Sequence, residues 1–482
     1  DNDGDLDLYL VQGNTIGPVP RLDIGNVLYE NVDGHFVDRS LGSGADDRGY
    51  GIGVATGDYN NDGKVDIYVT NLGKNALLRN DGEGKFTNVA QEAGVEHDGF
   101  SSCAAFADID DDSDLDLVVT SYLDWSYEDE EVCYDLKSNR TYCNPAIYDA
   151  PVHDSLYLNN GDGTFRDATV SSGFGDVVGT GLGVLITQLT EDDRPDIFIA
   201  NDDMPDRLWV NIGDGVFKEE GVLRNIAVDD SGKAKAGMGV NVVDIDHDGD
   251  MEVYVTNIFG ETDSFYKNEG SYFQDITRRR GVAAETRAFT RWGVVFEDFN
   301  NNGRVDLFET TGGVVSGFNN YSDSDPLAEP NLLFEQDKDG RFKTVKPYGG
   351  TAELLVASSH GVASGDIDGD GGIDLVIVNK DSPISILKNV VSNRGNWISF
   401  RVRNQAGVDS IGAMVELLLM DGTKRFRRVI TSRGYASSQD PTIHVGLGTQ
   451  KVQQAIISWP DGSTQTLQSP AIGKVHDIQY VE

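Results

Sequence analysis

The sequence predicts an all-β fold: a seven-bladed β-propeller over 1–392, followed by a small β-sandwich or barrel over 393–482. Three observations predict it. A short acidic loop recurs seven times, each copy running into a β-branched, hydrophobic stretch. A Gly-rich strand precedes every loop after the first, and a strand ending in Asn or a near equivalent, a Gly-containing turn and a Phe follow. No segment keeps a helical hydrophobic period over several turns. At 482 residues, 39% hydrophobic with 56 glycines, the chain can bury a large core and make many tight turns.

The repeats justify the blades in order. The loops read DNDGDLDLYL from Asp1, DYNNDGKVDIYV from Asp58, DIDDDSDLDLVV from Asp108, QLTEDDRPDIFI from Gln188, DIDHDGDMEVYV from Asp244, DFNNNGRVDLFE from Asp298 and DIDGDGGIDLVI from Asp366. Strand, acidic loop, strand, connection, strand, Gly turn, strand makes a four-stranded antiparallel unit, the sequence form of a propeller blade. Isolated hairpins would leave the Val, Ile and Leu faces unburied. The blades fall at about 1–47, 48–98, 99–178, 179–235, 236–287, 288–357 and 358–392. The first lacks its leading strand, so the sequence is a fragment or another part of the chain closes the ring. After Asn393 the acidic loops stop and Lys and Arg become common, from Arg401 to Arg433. Alternating runs there, broken by DGTK and WPDGST, read as a small antiparallel sandwich or barrel.

Charge excludes several functions. Eighty acids against 39 bases give −41, which leaves no basic footprint for nucleic acid and no attraction to anionic lipid. The longest apolar runs, such as 415–420, are far too short to span a bilayer. The chain opens at Asp1 with no Met and no hydrophobic leader.

The loop spacing D-x-[DN]-x-D-G-x-x-D sets oxygen side chains at alternate positions around a tight turn, where Gly lets the backbone reverse and the carboxylates converge. Ca²⁺ wants six to eight such oxygens and tolerates irregular geometry, whereas the loops offer no Cys or His pairs for zinc or copper. The candidate ligands are Asp1, Asp3, Asp5 and Asp7; Asp58, Asn60, Asp62 and Asp66; and Asp108, Asp110, Asp112 and Asp116. In the later blades they are Asp244, Asp246, Asp248 and Glu252; Asp298, Asn300, Asn302 and Asp306; and Asp366, Asp368, Asp370 and Asp374. Blade four, with Gln188, Thr190 and Asp193 at key positions, is expected to be empty, and two asparagines should weaken blade six. Ser113 fills the Gly slot of blade three under strain. Five or six Ca²⁺ ions are therefore expected. Modest-affinity loops fill outside the cell rather than in the cytosol, so the chain is expected to be secreted or at the cell surface.

These motifs closely resemble the FG-GAP/VCBS repeats of integrin-like propellers. The tail resembles the ASPIC/UnbV domain through Asn396-Trp397, Ile411-Gly412-Ala413, Arg433-Gly434-Tyr435, Ser437-Ser438-Gln439, Val445-Gly446-Leu447-Gly448 and Trp459-Pro460-Asp461-Gly462. Together they are similar to the cartilage acidic protein family. The resemblance implies a secreted, calcium-binding, adhesive protein. With no EGF-like module before the chain ends at Glu482, it points to a bacterial or minimal member.

No hydrolase, P-loop or dinucleotide motif occurs, and no enzyme is expected. Two functions lead, adhesion or extracellular protein–protein interaction and calcium-dependent glycan binding, with a polysaccharide-active enzyme the least favoured alternative. Two long second-to-third-strand connections, 122–154 in blade three and 312–331 in blade six, should emerge opposite the acidic loops, where a rigid scaffold presents recognition loops. The first carries Trp125, Tyr127, Tyr134, Tyr142 and Tyr148, which either anchor a protein or sugar partner or pack the loop onto its own disc. Cys133 and Cys143 bracket a short loop that a disulfide would pin in an oxidising compartment, leaving Cys103 a buried thiol. The sequons at Asn139 and Asn320 are near chance expectation.

Overall fold

The computed structural model describes residues 4–17, 19, 22–134, 138, 140–315 and 321–481, which form an all-β, propeller-like array. Seven antiparallel strand groups, called sheets 1 to 7, follow one another along the described residues, and the second and third are joined by pairing of Leu72, Gly73 and Lys74 with Phe100, Gly99 and Asp98. Sheet 1 holds Leu8–Leu10, Val27–Val32 and His35–Asp38, and sheet 2 holds Tyr50–Gly57, Asp66–Lys74, Ala76–Gly82 and Lys85–Asn88. Sheet 3 is Asp98–Ala107, Asp116–Ser121, Ser155–Asn159 and Phe165–Asp167, and sheet 4 is Gly181–Thr187, Asp196–Asn201, Arg207–Gly213 and Val216–Glu219. Sheet 5 is Val240–Val243, Glu252–Val255, Ser264–Asn268 and Phe273–Asp275, and sheet 6 is Arg291–Glu297, Asp306–Thr311, Leu332–Gln336 and Phe342–Thr344. Sheet 7 is Ser359–Gly365, Asp374–Asn379 and Ser385–Leu387. Sheet 1 has three described strands, as expected for a repeat without its leading strand, and sheet 7 has three where the repeat predicts four. Sheet 7 stops because 389–397 reads NVVSNRGNW, with no Gly turn and Phe to start a fourth strand.

The first two strands of each sheet are apolar on both faces because a neighbouring sheet covers each side. Gly181–Thr187 and Asp196–Asn201 are buried throughout. Leu185, Phe198 and Leu208 of sheet 4 pack against Val240, Val253 and Tyr266 of sheet 5. The Gly-rich first strands follow from how closely these sheets approach. A Cβ on Gly239 would sit 2.1 Å from the Trp292 carbonyl oxygen of sheet 6, and one on Gly183 would sit 2.2 Å from that of Met238. Gly239→Ala is therefore expected to cost about 3 kcal/mol, read as a lower urea midpoint, because backbone and not a movable side chain must yield.

A six-residue signature, [ND]-x-x-x-x-N, opens and closes the third strand of most sheets and does two jobs. Its first residue caps the end of the second strand. Asn26, Asn75, Asp154, Asp206, Asp263 and Asn331 accept from the amides of Gln12, Asn71, Ser121, Asn201, Asn257 and Thr311 at 2.7–3.0 Å. Its last residue reaches the acidic loop of the preceding sheet. Asn159, Asn211, Asn268 and Asn389 donate to the carbonyls of Tyr59, Ile109, Leu189 and Phe299 at 2.7–3.1 Å. Asn31 of sheet 1 donates to Ile367 of sheet 7 at 3.2 Å, joining the two ends of the array. Sheet 6 has Gln336 instead, and its buried Nε2 finds no partner.

Asp206 illustrates the cost of a carboxylate where other sheets use Asn. Burial pushes it up to about 8, against the opposing effects of the Asn201 amide, Lys235 and Arg207. A folded-state pKa above the unfolded value gives stability that is complete below about pH 4 and lost as pH rises through about 8. Asp206→Asn should flatten that decline. At saturating calcium and pH 9 the variant is expected to be more stable than the parent by on the order of 3 kcal/mol in urea titrations.

The tail forms two sheets. Ile443–Gly448, Asn396–Arg403 and Val475–Gln479 make one, and Lys424–Arg428, Met414–Leu419, Val452–Ser458 and Thr464–Gln468 make the other, around a core including Phe400, Leu417, Ile457 and Trp459. The expected all-antiparallel pairing is corrected at one place: Asn396–Arg403 and Val475–Gln479 run parallel, joined by the long 404–474 excursion, which carries the whole second sheet and Ile443–Gly448 of the first. The tail does more than pack against the array. Residues 431–440 reach into it and touch the first strands of five sheets. Gly434 and Val240 exchange backbone bonds at 2.6 and 2.9 Å, and Ala436 donates to the buried Cys103 sulfur at 3.1 Å. Ser438 meets Thr56 at 2.7 Å, Tyr435 packs 5.0 Å from Trp292, and Gln439 donates to the Val362 carbonyl at 2.8 Å while accepting from Ser364 at 2.9 Å.

Candidate metal centres

Each acidic loop joins the first and second strands of its sheet. In the loops at 58, 108, 298 and 366 the first aspartate folds the turn. Its two oxygens accept from the fifth and sixth backbone amides, as Asp58 does from Asp62 and Gly63 at 3.1 and 3.0 Å. The sixth residue is left-handed throughout: Gly63 (φ 89), Ser113 (φ 75), Gly249 (φ 98), Gly303 (φ 87) and Gly371 (φ 80). Ser113 thus carries the strain its side chain predicts. The fourth residue is left-handed too, at Asn61, Asp111, His247, Asn301 and Gly369. In these five loops that position takes Asn, Asp, His or Gly, the residue types that tolerate a left-handed backbone, whereas loop four has Glu191 there.

The ninth-position acid has a structural role of its own. One oxygen of Asp66, Asp116, Asp196 and Asp374 accepts from the second loop amide, and the other accepts from the amide of the third-strand Asn. Asp196 does this although Gln188 and Thr190 replace the first and third acids of loop four, so the bracket stands where no carboxylate cluster forms among the described residues. In that loop Gln188 donates to the Asp193 carbonyl of its own turn. Asp7 accepts from Asn31 at 2.9 Å. Asp1 and Asp3 lie outside the described residues.

Carboxylates converge in three loops. Asp108, Asp110 and Asp116, then Asp244, Asp246 and Asp248, then Asp366, Asp368 and Asp374, each bring one oxygen apiece within 4.8 Å of one another. In the loops at 58 and 298, Asn60, Asn300 and Asn302 replace acids, so fewer charges converge. Burial pushes the ninth acids up, to about 8 in Asp66, Asp116 and Asp306 and about 9 in Glu252, and pushes Asp108, Asp244 and Asp298 to about 6.

The loop at 244 fits a cation best. Asp244 is 1% exposed and Glu252 is fully buried, yet both oxygens of Asp244 and Oε1 of Glu252 have no hydrogen-bond partner. Three unpaired carboxylate oxygens in the interior are costly unless a cation faces them. Asp246 and Asp248 complete the group, with Lys267 ion-paired at 3.0 Å to Asp246.

The basic tail covers the loops at 244 and 298. Arg425 and Arg427 lie in the field of Asp244 and Asp298, and Phe426 packs on Gly249. His444 Nε2 stands 2.7 Å from Asn301 Oδ1, and Gly448 donates to the Asn301 carbonyl at 2.7 Å. The change in composition after Asn393 is thus a charge complement to the acidic face.

On the opposite face, the long connection of sheet 3 lies down as a strap. Cys133 and Cys143 are joined, and Cys103 is a buried free thiol. Trp125 packs on Phe100, Tyr127 lies over Gly17, and Tyr148 donates to Glu130. Thr141 donates to the Val314 carbonyl of the sheet 6 connection at 2.9 Å, and Lys380 of sheet 7 donates to the Tyr142 hydroxyl. Of the strap aromatics, Trp125 packs onto its own sheet against Phe100, while Tyr127, Tyr134 and Tyr142 are 47%, 61% and 55% exposed.

Fold and loops together define a propeller-like protein of acidic-loop repeats joined to a distinct β tail. Residues 1–69, 58–119 and 188–255 match the FG-GAP-like repeat family, and residues 404–482 match the family described as ASPIC and UnbV. The chain is similar to Cartilage acidic protein 1 of Xenopus tropicalis, 28% identical over 62% of this chain and 45% of that protein. It is also similar to Cartilage acidic protein 1 of Homo sapiens, 26% identical over 67% of this chain and 47% of that protein. The chain spans about half the length of the curated relatives it matches. Among solved structures it is similar to an Agrocybe aegerita lectin that recognises non-reducing terminal N-acetylglucosamine (TM-score 0.45, 16% identity, 80% of this chain and 90% of that one). A Bacillus licheniformis rhamnogalacturonan lyase also aligns (TM-score 0.36, 12% identity, 97% of this chain and 75% of that one). Likeness this slight carries nothing about ligand or reaction.

Proposed function

We propose that the chain is an extracellular, calcium-binding interaction module without enzymatic activity. Its seven sheets close as one seven-bladed ring over 1–392, and the 393–482 domain plugs that ring with 431–440. Calcium fills five or six of the loops of blades 1, 2, 3, 5, 6 and 7, with blade 6 the weakest, and blade 4 stays empty. The observation that carries this reading is the buried, unpaired carboxylate oxygens of Asp244 and Glu252 beside Asp246 and Asp248. The disulfide of the strap and the modest-affinity loops both favour an oxidising, calcium-rich compartment. To test the metal sites, calcium-dependent stabilisation is compared between Asp244→Asn and Asp192→Asn. The first should lose about a site's worth of stabilisation, on the order of 3 kcal/mol at millimolar calcium, and the second none. Equal responses would sink the loop assignment.

A second reading, calcium-dependent glycan binding, is favoured by the exposed Tyr134 and Tyr142 rings. A glycan array probed with and without calcium separates the two.

A further inference from the structure

The strap, through Cys133, Tyr142 and Asn144, and residues 435–437 of the tail line one cavity of about 3250 Å³, which extends to the acidic loops at Asp5, Asp7 and Asp58. We infer that the strap-lined cavity is a docking site for a basic, extended segment of a partner protein, which lodges Lys or Arg side chains between tyrosine rings and carboxylates. The inference rests on the extracellular-interaction reading above and gives it a place and a chemistry.

Four observations lead there. First, the tail lies over the acidic loops of blades 5 and 6, and among the described residues it makes no backbone hydrogen bond to the strap. Second, the wall already holds a cation of its own: the Lys380 ammonium stands 4.9 Å from the centre of the Tyr142 ring, with Tyr50 also lining the cavity. Third, Asp203 and Asp381 line the same cavity: Asp203 accepts from Asn144 of the strap at 3.0 Å and lies in the field of Lys233, Asp381 lies in that of Lys380, and no salt bridge among the described residues closes on either. Fourth, the Ser358 side chain borders the cavity, and its buried hydroxyl finds no hydrogen-bond partner. Rings and carboxylates around one opening suit an ammonium or guanidinium. An anionic ligand would meet both these acids and the overall charge of −41.

General attraction to an acidic protein is the rival, and matched variants separate it. Asp203 and Asp381 both have left-handed backbones (φ 60 and 53), as do the remote Asp33 and Asp214 (φ 53 and 56). Asparagine is tolerated at such positions, so each pair can lose two charges with its turn intact. The probe is a fluorescein-labelled peptide of alternating Gly and Lys, GKGKGKGKG, titrated by fluorescence anisotropy at 0.15 M salt and millimolar calcium. GEGEGEGEG and maltoheptaose serve as competitors. Asp203→Asn with Asp381→Asn should weaken binding about tenfold, as should Tyr142→Ala, while Asp33→Asn with Asp214→Asn stays within twofold. Neither competitor should displace the probe. Equal weakening by the remote pair, displacement by maltoheptaose, or no binding of the peptide overturns the inference. Calcium-induced stabilisation is measured on the same samples. If it persists while the peptide fails, the docking site falls and the calcium reading stands.

Discussion

Removing calcium with EDTA is expected to lower the melting temperature by roughly 10 °C or more, and restoring millimolar calcium should return it in full. Each filled loop adds RT ln(1 + [Ca²⁺]/Kd), about 3–4 kcal/mol at a hundred- to thousandfold excess over Kd, and several loops act on one ring. Magnesium should restore little, because its tight octahedral shell does not suit a ring of carboxylates with buried members. The physical source of the effect is electrostatic. Asp244 and Glu252 are held in the interior with unpaired oxygens, so the calcium-free fold either bears buried charge or keeps protons on them. Differential scanning calorimetry on the chelated and reloaded protein is the check. An unchanged transition would contradict the metal reading of all the loops at once.

The second large effect is expected from residues 431–440. Gln439 is 4% exposed and bridges the first strand of sheet 7, donating to Val362 and accepting from Ser364. Gln439→Ala leaves that carbonyl and that amide without their partner, at about 1–3 kcal/mol each. Replacing residues 433–439 by a Gly/Ser stretch of equal length removes the Gly434–Val240 backbone pair and the contacts with Thr56, Cys103 and Trp292 as well. That variant should melt lower than Gln439→Ala and label rapidly at Cys103, which the parent shields as a buried thiol. Thiol labelling beside the melting curve distinguishes loss of this segment from general instability. Unaltered labelling would mean that 431–440 is not what covers the first strands.

Much of this was legible because the repeat is local. The spacing of acids and glycines fixes each loop, and a loop fixes the two strands it joins, so the order and edges of the sheets follow from short-range pattern. The Cys133–Cys143 bridge is equally local. What escaped the reading depends on contacts between distant segments. The Asn of each third strand looks like a turn residue in isolation, and only the neighbouring sheet shows that its carboxamide ties blade to blade. Arg425 and Arg427 read as a basic surface, yet they complement Asp244 and Asp298 from about 180 and 130 residues earlier in the chain. The parallel pairing in the tail and the entry of 431–440 into the array are likewise long-range, with no period to announce them. The left-handed fourth loop position is different: its restricted residue set was in view, and it needed only a conformational reading.

The most direct test of the central claim is a count of calcium ions per chain by native mass spectrometry, on protein desalted from a calcium buffer and on Asp244→Ala prepared alongside. The account predicts five or six ions on the parent and one fewer on the variant. A parent that carries none, or a variant that keeps the full set, would contradict it.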